Sequence, residues 1–275
     1  MNKELKKKYN KLLQILNSLK SCLVAYSGGV DSTFLLFASY EALRDKTCGI
    51  LIDTPFLSKR EKDFALRNAN QLNLPLIIEE VDLLQNLAII QNEPNRCYFC
   101  KKLLFETIQV IAHQKRYQSI VEGSNIDDLS DFRPGKKAIQ EMGIKSPLLE
   151  AGFTKEEIRL ISKEKNLPTW NQLSFSCLAT RIPFGSVISS EHLQRIEKAE
   201  SFLLEFGFSQ LRVRDHFPVA RIEIPLQNND LTRIHNYHQQ IIKGLKSLGY
   251  RWVTLDLEGY RSGSMNEELN LEELN

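Results

Sequence analysis

The stretch Ser27-Gly28-Gly29-Val30-Asp31-Ser32 decides the fold. A short apolar run at residues 22–26 precedes it, and residues 32–43 have the composition of a buried helix. The two glycines permit positive φ and let backbone N–H groups approach an anion closely. The helix that follows presents its unsatisfied N–H groups and its positive dipole end to the same anion. The pattern therefore predicts a phosphate-binding loop between a buried parallel strand and a helix.

The side chains of this phosphate loop suit a nucleotide. Ser27 and Ser32 add hydroxyl donors, and Asp31 can orient the loop or help to hold the Mg²⁺ that a pyrophosphate group requires. The loop is not of the Walker A type, because no Gly-Lys-Ser/Thr follows it. An ordinary strand–helix turn is the alternative interpretation. The complete six-residue string in this position favours the binding of ATP and Mg²⁺.

Apolar runs and helical patterns alternate along the first 168 residues. Thr154 followed by Glu157 is a capping-box pattern at the start of one helix. The alternation predicts an α/β fold with a doubly wound parallel sheet and helices on both faces. The predicted strands are 22–26, 48–53, 75–81 and 119–122, and the predicted helices are 32–43, 58–72, 101–116 and 154–165, after an amphipathic N-terminal helix.

The pattern changes after Pro168, which predicts a second domain. Residues 172–187 are rich in Ser, Thr, Gly, Pro and Arg and predict a long loop. We expect two domains, 1–172 and 173–275, with a frayed acidic tail at Met265–Asn275. The later elements form a small α+β domain of order αββαβ: a helix at 189–206, hairpin strands at 210–215 and 219–224, a helix at 231–248 and a strand at 251–257.

The composition is that of an ordinary globular protein. Of the 275 residues, 42% are hydrophobic and 25% are charged, and the net charge is only +2. This charge gives no strong indication of a nucleic-acid partner. We find no apolar run of about 18 residues, so no membrane span is expected. The N-terminal segment lacks the apolar centre of a signal peptide, which predicts a cytoplasmic protein.

Five cysteines are present, and an odd number argues against a disulfide framework. Cys22 and Cys48 lie within apolar strands, where cysteine acts as a small buried hydrophobe. The pair Cys97 and Cys100 is open to several interpretations: the start of a zinc or iron–sulfur site, a redox pair, or simple packing. A structural zinc site needs four ligands and no second pair exists, with His113 the nearest histidine. The role of this pair stays unassigned.

Cys177 lies in the Gly- and Pro-containing loop, close to Arg181. A neighbouring cation favours the thiolate, and the thiolate is the nucleophilic form of cysteine. The alternative is again a buried small hydrophobe. The loop position favours the interpretation that Cys177 is a catalytic nucleophile.

Polar residues follow two of the predicted strands. In open α/β sheets ligands bind at the carboxyl ends of the strands. Asp53 ends the second strand, although an Asp-Thr-Pro turn is an alternative role. Asn125 and Asp127 follow the fourth strand and suit hydrogen bonding to a nucleotide and coordination of Mg²⁺, while Asp128 is as well explained as a helix cap. Arg133, in a Pro-Gly loop, is a candidate phosphate contact.

Arginines in the second domain are candidate anion ligands. Arg212 and Arg214 alternate with Val213 on a predicted strand, so both face the same side. Two guanidinium groups on one face suit a substrate phosphate, and Arg261 is a third candidate. Exposed arginines paired with acids are the alternative.

The string Ser27–Ser32 resembles the signature of the N-type ATP pyrophosphatases, a superfamily that includes NAD synthetase, GMP synthetase, argininosuccinate synthetase and tRNA-thiolating enzymes. This resemblance implies an adenine nucleotide alpha hydrolase-like PP-loop domain and adenylylated intermediates. It also implies that Asp53 lies where these proteins contact adenosine.

Other segments, in order along nearly the whole chain, resemble the LarE family of ATP-dependent sacrificial sulfur transferases. The last two are the specific ones, because the phosphate loop alone does not separate this family from its relatives. The segments are Asn95–Lys101, Glu122–Asp128 with Asp131–Gly135, Ser174–Gly185, and Leu255–Asn266.

The LarE resemblance implies a reaction in the synthesis of the nickel-pincer nucleotide of lactate racemase. ATP adenylylates a carboxylate of pyridinium-3,5-biscarboxylic acid mononucleotide, and pyrophosphate leaves. A cysteine, matched here by Cys177, attacks the activated carbonyl. Its Cβ–S bond then breaks, leaving a thiocarboxylate product and a dehydroalanine in the protein. The resemblance also implies a homo-oligomer and a functional link to the other lactate racemase maturation proteins.

The resemblance assigns further residues. Tyr98 is a stacking surface for the nucleotide, and Gly123 lies beside the nucleotide. The acids Glu200 and Glu223, with the poorly aligned Asp230, can attract a metal ion, although a charged face is the alternative. Independently of the resemblance, Arg181 joins Arg212, Arg214 and Arg261 as a candidate ligand of the substrate phosphate.

Two other functions compete with this one. The first is another ATP pyrophosphatase, such as a tRNA thiolase or a synthetase. The sequence shows neither a glutaminase segment nor a basic RNA-binding module, which disfavours it. The second is a catalytically inactive nucleotide-binding protein, and the intact Ser27, Asp31 and Cys177 argue against that.

Overall fold

The computed structural model describes residues 3–130, 134–173, 175–226 and 229–261. The chain divides into two compact units, residues 1–82 with 97–175, and residues 83–96 with 176–275. The boundary predicted after residue 172 lies near the second break. The segment 83–96, which the sequence placed in the first domain, belongs instead to the second unit. The reason is that its side chains bind the backbone around residue 180, as described below.

A four-stranded parallel sheet of order β3-β2-β1-β4 forms the centre of the first unit. The chain starts in the middle of this sheet and places strands on both sides of β1, so the strand order reverses between β1 and β4. Ligands bind at such a switch point in open α/β sheets. The strands are β1 (Cys22–Ala25), β2 (Thr47–Asp53), β3 (Leu76–Glu80) and β4 (Ser119–Val121).

Helices cover both faces of this sheet, which confirms the predicted α/β class. Successive residues of a strand point to opposite faces. Val24 therefore packs with Phe34 and Ile158 on one face, and Leu23 packs with Phe105 and Ile108 on the other. The helices are α1 (Lys3–Ser18), α2 (Val30–Leu43), α3 (Lys59–Gln71), α4 (Leu87–Ile90, in the second unit), α5 (Arg96–Gln114), α6 (Pro134–Glu141), α7 (Pro147–Ala151) and α8 (Lys155–Glu164).

Two helix starts differ in how well the sequence predicts them. The capping box of α8 is present: the Thr154 hydroxyl accepts from the Glu157 N–H at 3.3 Å, and the Thr154 N–H donates to the Glu157 carboxylate at 3.0 Å. Helix α5 begins at Arg96, whereas the sequence predicted a start at Lys101. Asn95 directly precedes Arg96 and is one of the residue types that favour a helix start, a signal that the sequence prediction overlooked.

The second unit has the predicted order αββαβ. Strands β5 and β6 are antiparallel, as expected for a hairpin, and β7 lies parallel to β6 in a three-stranded sheet. One face packs Val213, Ala220 and Ile222 against the two helices. The elements are α9 (Ser190–Leu204), β5 (Arg212–His216), β6 (Val219–Glu223), α10 (Asp230–Ser247) and β7 (Trp252–Leu255).

The loop predicted at residues 172–187 contains one 3₁₀ turn, Leu178–Arg181. Among the described helices, none combines the length and the apolar character that a bilayer crossing requires. The predicted phosphate contact Arg133 and the predicted acidic tail Met265–Asn275 lie outside the described residues.

Candidate active site

The phosphate loop joins the end of β1 to the start of α2. The Ser27 and Ser32 hydroxyls lie 3.0 Å apart, and the Ser32 hydroxyl accepts from the Ser27 N–H at 3.1 Å. Gly29 is the N-cap residue of α2, and no described side chain caps that helix. The N–H groups of its first turn are therefore available to an anion.

Gly28 occupies the position in the loop that requires glycine. Its φ is +75°, in the left-handed region that L side chains rarely adopt. A Cβ added there would lie 2.5 Å from the Ala65 Cβ and 2.7 Å from the Ala65 Cα of α3. The loop backbone and α3 thus lie so close together that no side chain fits at position 28.

The carboxyl end of β4 lies beside the loop, as the switch-point argument expects. A Cβ on Gly123 would lie 3.2 Å from the Ser32 N and 3.3 Å from the Asp31 Cβ. Asn125, which is buried, accepts from the Asp127 N–H at 2.9 Å, and its own N–H donates to Asp128 at 2.9 Å. The structure therefore brings the loop and the residues after β4 together.

Asp31 forms an ion pair that the sequence did not predict. Its Oδ2 contacts the Lys155 ammonium, while its Oδ1 is buried without a hydrogen-bond partner in the described part of the chain. The Lys155 N–H donates to Asp127 Oδ2 at 2.7 Å, so this one residue links two predicted site acids. The sequence contained a signal for this pair. Lys155 is the first residue of α8, where a cation opposes the helix dipole, so a nearby acid was to be expected.

The pKa of Asp31 is raised, chiefly by burial, and the Lys155 ammonium opposes that rise. A carboxyl whose pKa rises on folding holds its proton more tightly in the native state. Its ionisation therefore destabilises the fold as the pH increases past the unfolded value of about 3.9.

Replacing Lys155 by methionine should lower the free energy of unfolding by about 1–3 kcal/mol at neutral pH, because Asp31 loses its counter-charge. Because Asp31 becomes protonated at low pH and then needs no counter-charge, the loss should shrink as the pH falls toward about 4. Urea denaturation at several pH values measures it. Lys137→Met is the matched control, because that lysine forms an exposed pair with Glu141. Adding Asp31→Asn to Lys155→Met should restore stability, and an equal loss at every pH would contradict this account.

The residues fit a magnesium ion held jointly with a nucleotide. Mg²⁺ prefers oxygen ligands and is usually bound by one or two carboxylates together with substrate phosphates. The unpartnered, buried Oδ1 of Asp31 provides such a ligand next to the phosphate loop. Asp127 is exposed, and its Oδ2 is hydrogen-bonded to the Lys155 backbone.

Two further predicted nucleotide contacts lie on this unit. Asp53, the last residue of β2, pairs with the Lys62 ammonium of α3. The Tyr98 hydroxyl donates to Glu141 at 2.6 Å, and this hydrogen bond raises the pKa of Tyr98. The Lys137 ammonium lies 6.0 Å from the centre of the Tyr98 ring.

Cys177 lies in the second unit, immediately before the 3₁₀ turn. It is partly exposed and extended, with φ −58° and ψ 146°. Arg181 is only 2% exposed and forms a bidentate pair with Glu200, at 2.9 and 3.0 Å. Its other terminal nitrogen donates to the carbonyl oxygens of Ser176, at 2.6 Å, and Cys177, at 2.9 Å. The guanidinium of Arg181 therefore holds the cysteine loop.

The segment 83–96 holds the same loop from another direction. The Asn92 amide donates to the carbonyl oxygens of Ile182, at 3.2 Å, and Pro183, at 2.7 Å. Arg96 is 2% exposed and donates to Asn92 and to the Ala179 carbonyl. Sequence reasoning missed both residues, because the contacts span more than 80 positions.

The arginines of β5 share the face opposite Val213, as the alternation predicts. Arg214 is buried and forms a bidentate pair with Glu223, at 2.8 Å for both contacts, and it also donates to the Thr180 carbonyl. Arg212 lies with its guanidinium 5.3 Å from the Tyr260 ring centre. Arg261 pairs with Glu258 at 2.9 Å.

The predicted carboxylate cluster does not form among the described residues, where no group of three or more metal-binding side chains is found. Each acid is neutralised by arginine instead. Glu200 pairs with Arg181, Glu223 with Arg214 and Arg221, and Asp230 with Arg233 at 2.7 Å. The metal assignment of these three residues stays a prediction.

Comparison with known proteins identifies the family. No protein-family model matches the chain. It is 33% identical over 264 residues to the pyridinium-3,5-bisthiocarboxylic acid mononucleotide synthase of Lactiplantibacillus plantarum, covering 96% of this chain and 95% of that protein. The chain belongs to the LarE family.

Other relatives agree with this assignment. The LarE-family chain is 37% identical over 270 residues to an uncharacterized protein of Synechocystis sp., covering 96% of this chain and 99% of the relative. It is 24% identical over 225 residues to one component of the glutamine-hydrolyzing GMP synthase of Sulfurisphaera tokodaii, covering 76% of this chain and 60% of that component. These similarities support an ATP pyrophosphatase-type enzyme with a PP-loop fold.

Proposed function

We propose that this protein adenylylates a carboxylate of pyridinium-3,5-biscarboxylic acid mononucleotide and then gives it the sulfur of Cys177. The observation that carries the proposal is the pairing, in one LarE-family chain, of a complete phosphate loop with a partly exposed cysteine in a rigidly held loop. The product is the thiocarboxylate from which a nickel-pincer nucleotide is made.

The first half-reaction belongs to the phosphate loop. The first-turn N–H groups of α2 and the Ser27 and Ser32 hydroxyls bind the phosphates of ATP that leave as pyrophosphate. When bound, Mg²⁺ neutralises charge on those phosphates, and Asp31 would hold it. Asp53 and Asn125, at strand ends, bind the adenosine, with Gly123 allowing its close approach. Tyr98 is the proposed stacking surface.

The second half-reaction belongs to Cys177. Its thiolate attacks the activated carbonyl, and AMP leaves as the thioester forms. Arg212 remains the proposed ligand of the substrate phosphate, with Arg261. Because Arg181 and Arg214 have their donors engaged with Glu200, Glu223 and loop carbonyls, we assign these two to the cysteine loop and not to the substrate phosphate.

Product stoichiometry tests the proposal. Incubation of the purified protein with excess ATP, Mg²⁺ and the biscarboxylate nucleotide should release pyrophosphate and yield one sulfur per chain before thiocarboxylate formation stops. The absence of pyrophosphate release would favour a catalytically inactive nucleotide-binding protein. Continued thiocarboxylate formation well beyond one equivalent would contradict sacrificial transfer.

A further inference from the structure

The backbone carbonyl oxygen of Cys177 accepts hydrogen bonds from three donors. These are the Thr180 N–H at 3.0 Å, the Thr180 hydroxyl at 2.8 Å and the Arg181 guanidinium at 2.9 Å. A carbonyl oxygen has two lone pairs, so three donors exceed what a resting peptide group needs. One donor is a cation, and charge-assisted hydrogen bonds are the strong ones. The arrangement matches an oxygen that gains negative charge.

These donors are fixed before any reaction begins. The Arg181 guanidinium is held by both oxygens of Glu200, and Glu200 Oε1 also accepts from the Val213 N–H at 3.1 Å. The Arg181 nitrogen that contacts Cys177 also lies 3.0 Å from the Thr180 hydroxyl and 2.8 Å from the Ser176 hydroxyl, so its two N–H groups are shared among these hydroxyls and the Ser176 and Cys177 carbonyl oxygens. Donors that need no reorganisation stabilise developing charge most effectively.

Resting on the proposed function, we propose that Thr180 and Arg181 form an oxyanion hole for the enolate of Cys177 itself, and that this promotes release of the sulfur. After the thioester has formed, the Cα proton of Cys177 passes to solvent hydroxide, which reaches this partly exposed residue. The electron pair of the Cα–H bond moves onto the carbonyl oxygen, where the three donors stabilise it.

Collapse of the enolate completes the step. The carbonyl double bond re-forms, a Cα–Cβ double bond forms, and the Cβ–S bond breaks with its electron pair on sulfur. The thiocarboxylate leaves and dehydroalanine remains, so the step needs neither an oxidant nor a reductant. Thr180 and Arg181 are catalytic residues in this step, because they contact the oxygen that carries the charge.

Thr180→Val tests the proposal, because it removes the hydroxyl donor and keeps the side-chain shape. After mixing with ATP, Mg²⁺ and the biscarboxylate nucleotide, intact mass spectrometry follows two species: the thioester adduct and the chain lighter by about 34 Da, the loss expected for H₂S. The variant should form the adduct but convert it about 100- to 1,000-fold more slowly, as for loss of one oxyanion donor. Thr180→Ser, which restores a hydroxyl, should recover conversion.

A second readout separates this role from a structural one. Conversion of the Thr180→Val adduct should show a primary deuterium isotope effect when the cysteines carry deuterium at Cα, and it should accelerate with pH. Conversion at the wild-type rate, or without an isotope effect, would overturn the oxyanion hole while leaving the proposed function intact. Wild-type protein that forms neither species would overturn both.

Discussion

Replacing Gly28 by alanine should reduce ATP-dependent pyrophosphate release by about 100-fold or more, the usual cost of misplacing reacting groups by about 1 Å. The added Cβ would lie 2.5 Å from that of Ala65, and the φ of +75° disfavours any L side chain. The loop or α3 must therefore move, and the donors for the phosphates move with it. A coupled pyrophosphate assay measures the effect.

Gly29→Ala is the matched control for stability in that experiment. Among the described residues, a Cβ on Gly29 would meet only the Ser27 hydroxyl, at an ordinary 3.5 Å, and φ is −75°. We expect thermal denaturation to show a lower Tm for Gly28→Ala and little change for Gly29→Ala. Equal Tm values for the two variants, with normal pyrophosphate release by Gly28→Ala, would contradict the steric argument.

Replacing Cys177 by serine should abolish thiocarboxylate formation and retain pyrophosphate release. In the proposed reaction, activation occurs at the phosphate loop of the first unit, whereas the sulfur comes from Cys177 in the second. A serine hydroxyl has no sulfur to give. The activated carboxylate can therefore only be hydrolysed or form an oxygen ester with the new serine side chain. Chromatography of the reaction with ATP and the biscarboxylate nucleotide measures the thiocarboxylate.

Cys48→Ala controls for the general loss of a thiol. That cysteine is buried in β2, where burial raises the pKa of its thiol and disfavours the reactive thiolate. Cys48→Ala should therefore form thiocarboxylate in the same amount as the wild-type protein. Thiocarboxylate formation by Cys177→Ser would show that the sulfur has another source.

Local patterns account for most of the fold. The parallel sheet follows from short apolar runs, and the capping box of α8 from Thr154 and Glu157, because these signals lie within a few residues of the structure they specify. The start of α5 was placed at Lys101 instead of Arg96, because Asn95, a residue type that favours a helix start, was overlooked.

The phosphate loop was also predictable, because strand, loop and helix are contiguous. The environment of Cys177, in contrast, was not predictable from the sequence. Its loop is held by Asn92 and Arg96 from a segment that the sequence assigned to the other domain. Similarly, Lys155 reaches Asp31 across 124 positions. The pairing of Arg181 with the half-buried Glu200 was not predictable either, because a loop arginine gives no sign of a carboxylate 19 positions further along the chain.

The mass of the protein after turnover tests the central claim most directly. Purified protein incubated with ATP, Mg²⁺ and pyridinium-3,5-biscarboxylic acid mononucleotide should become lighter by about 34 Da, with the loss located on the peptide that contains Cys177. Cys177→Ala should show no loss. An unchanged mass despite thiocarboxylate formation would contradict sacrificial transfer, because it would mean that the sulfur comes from outside the chain.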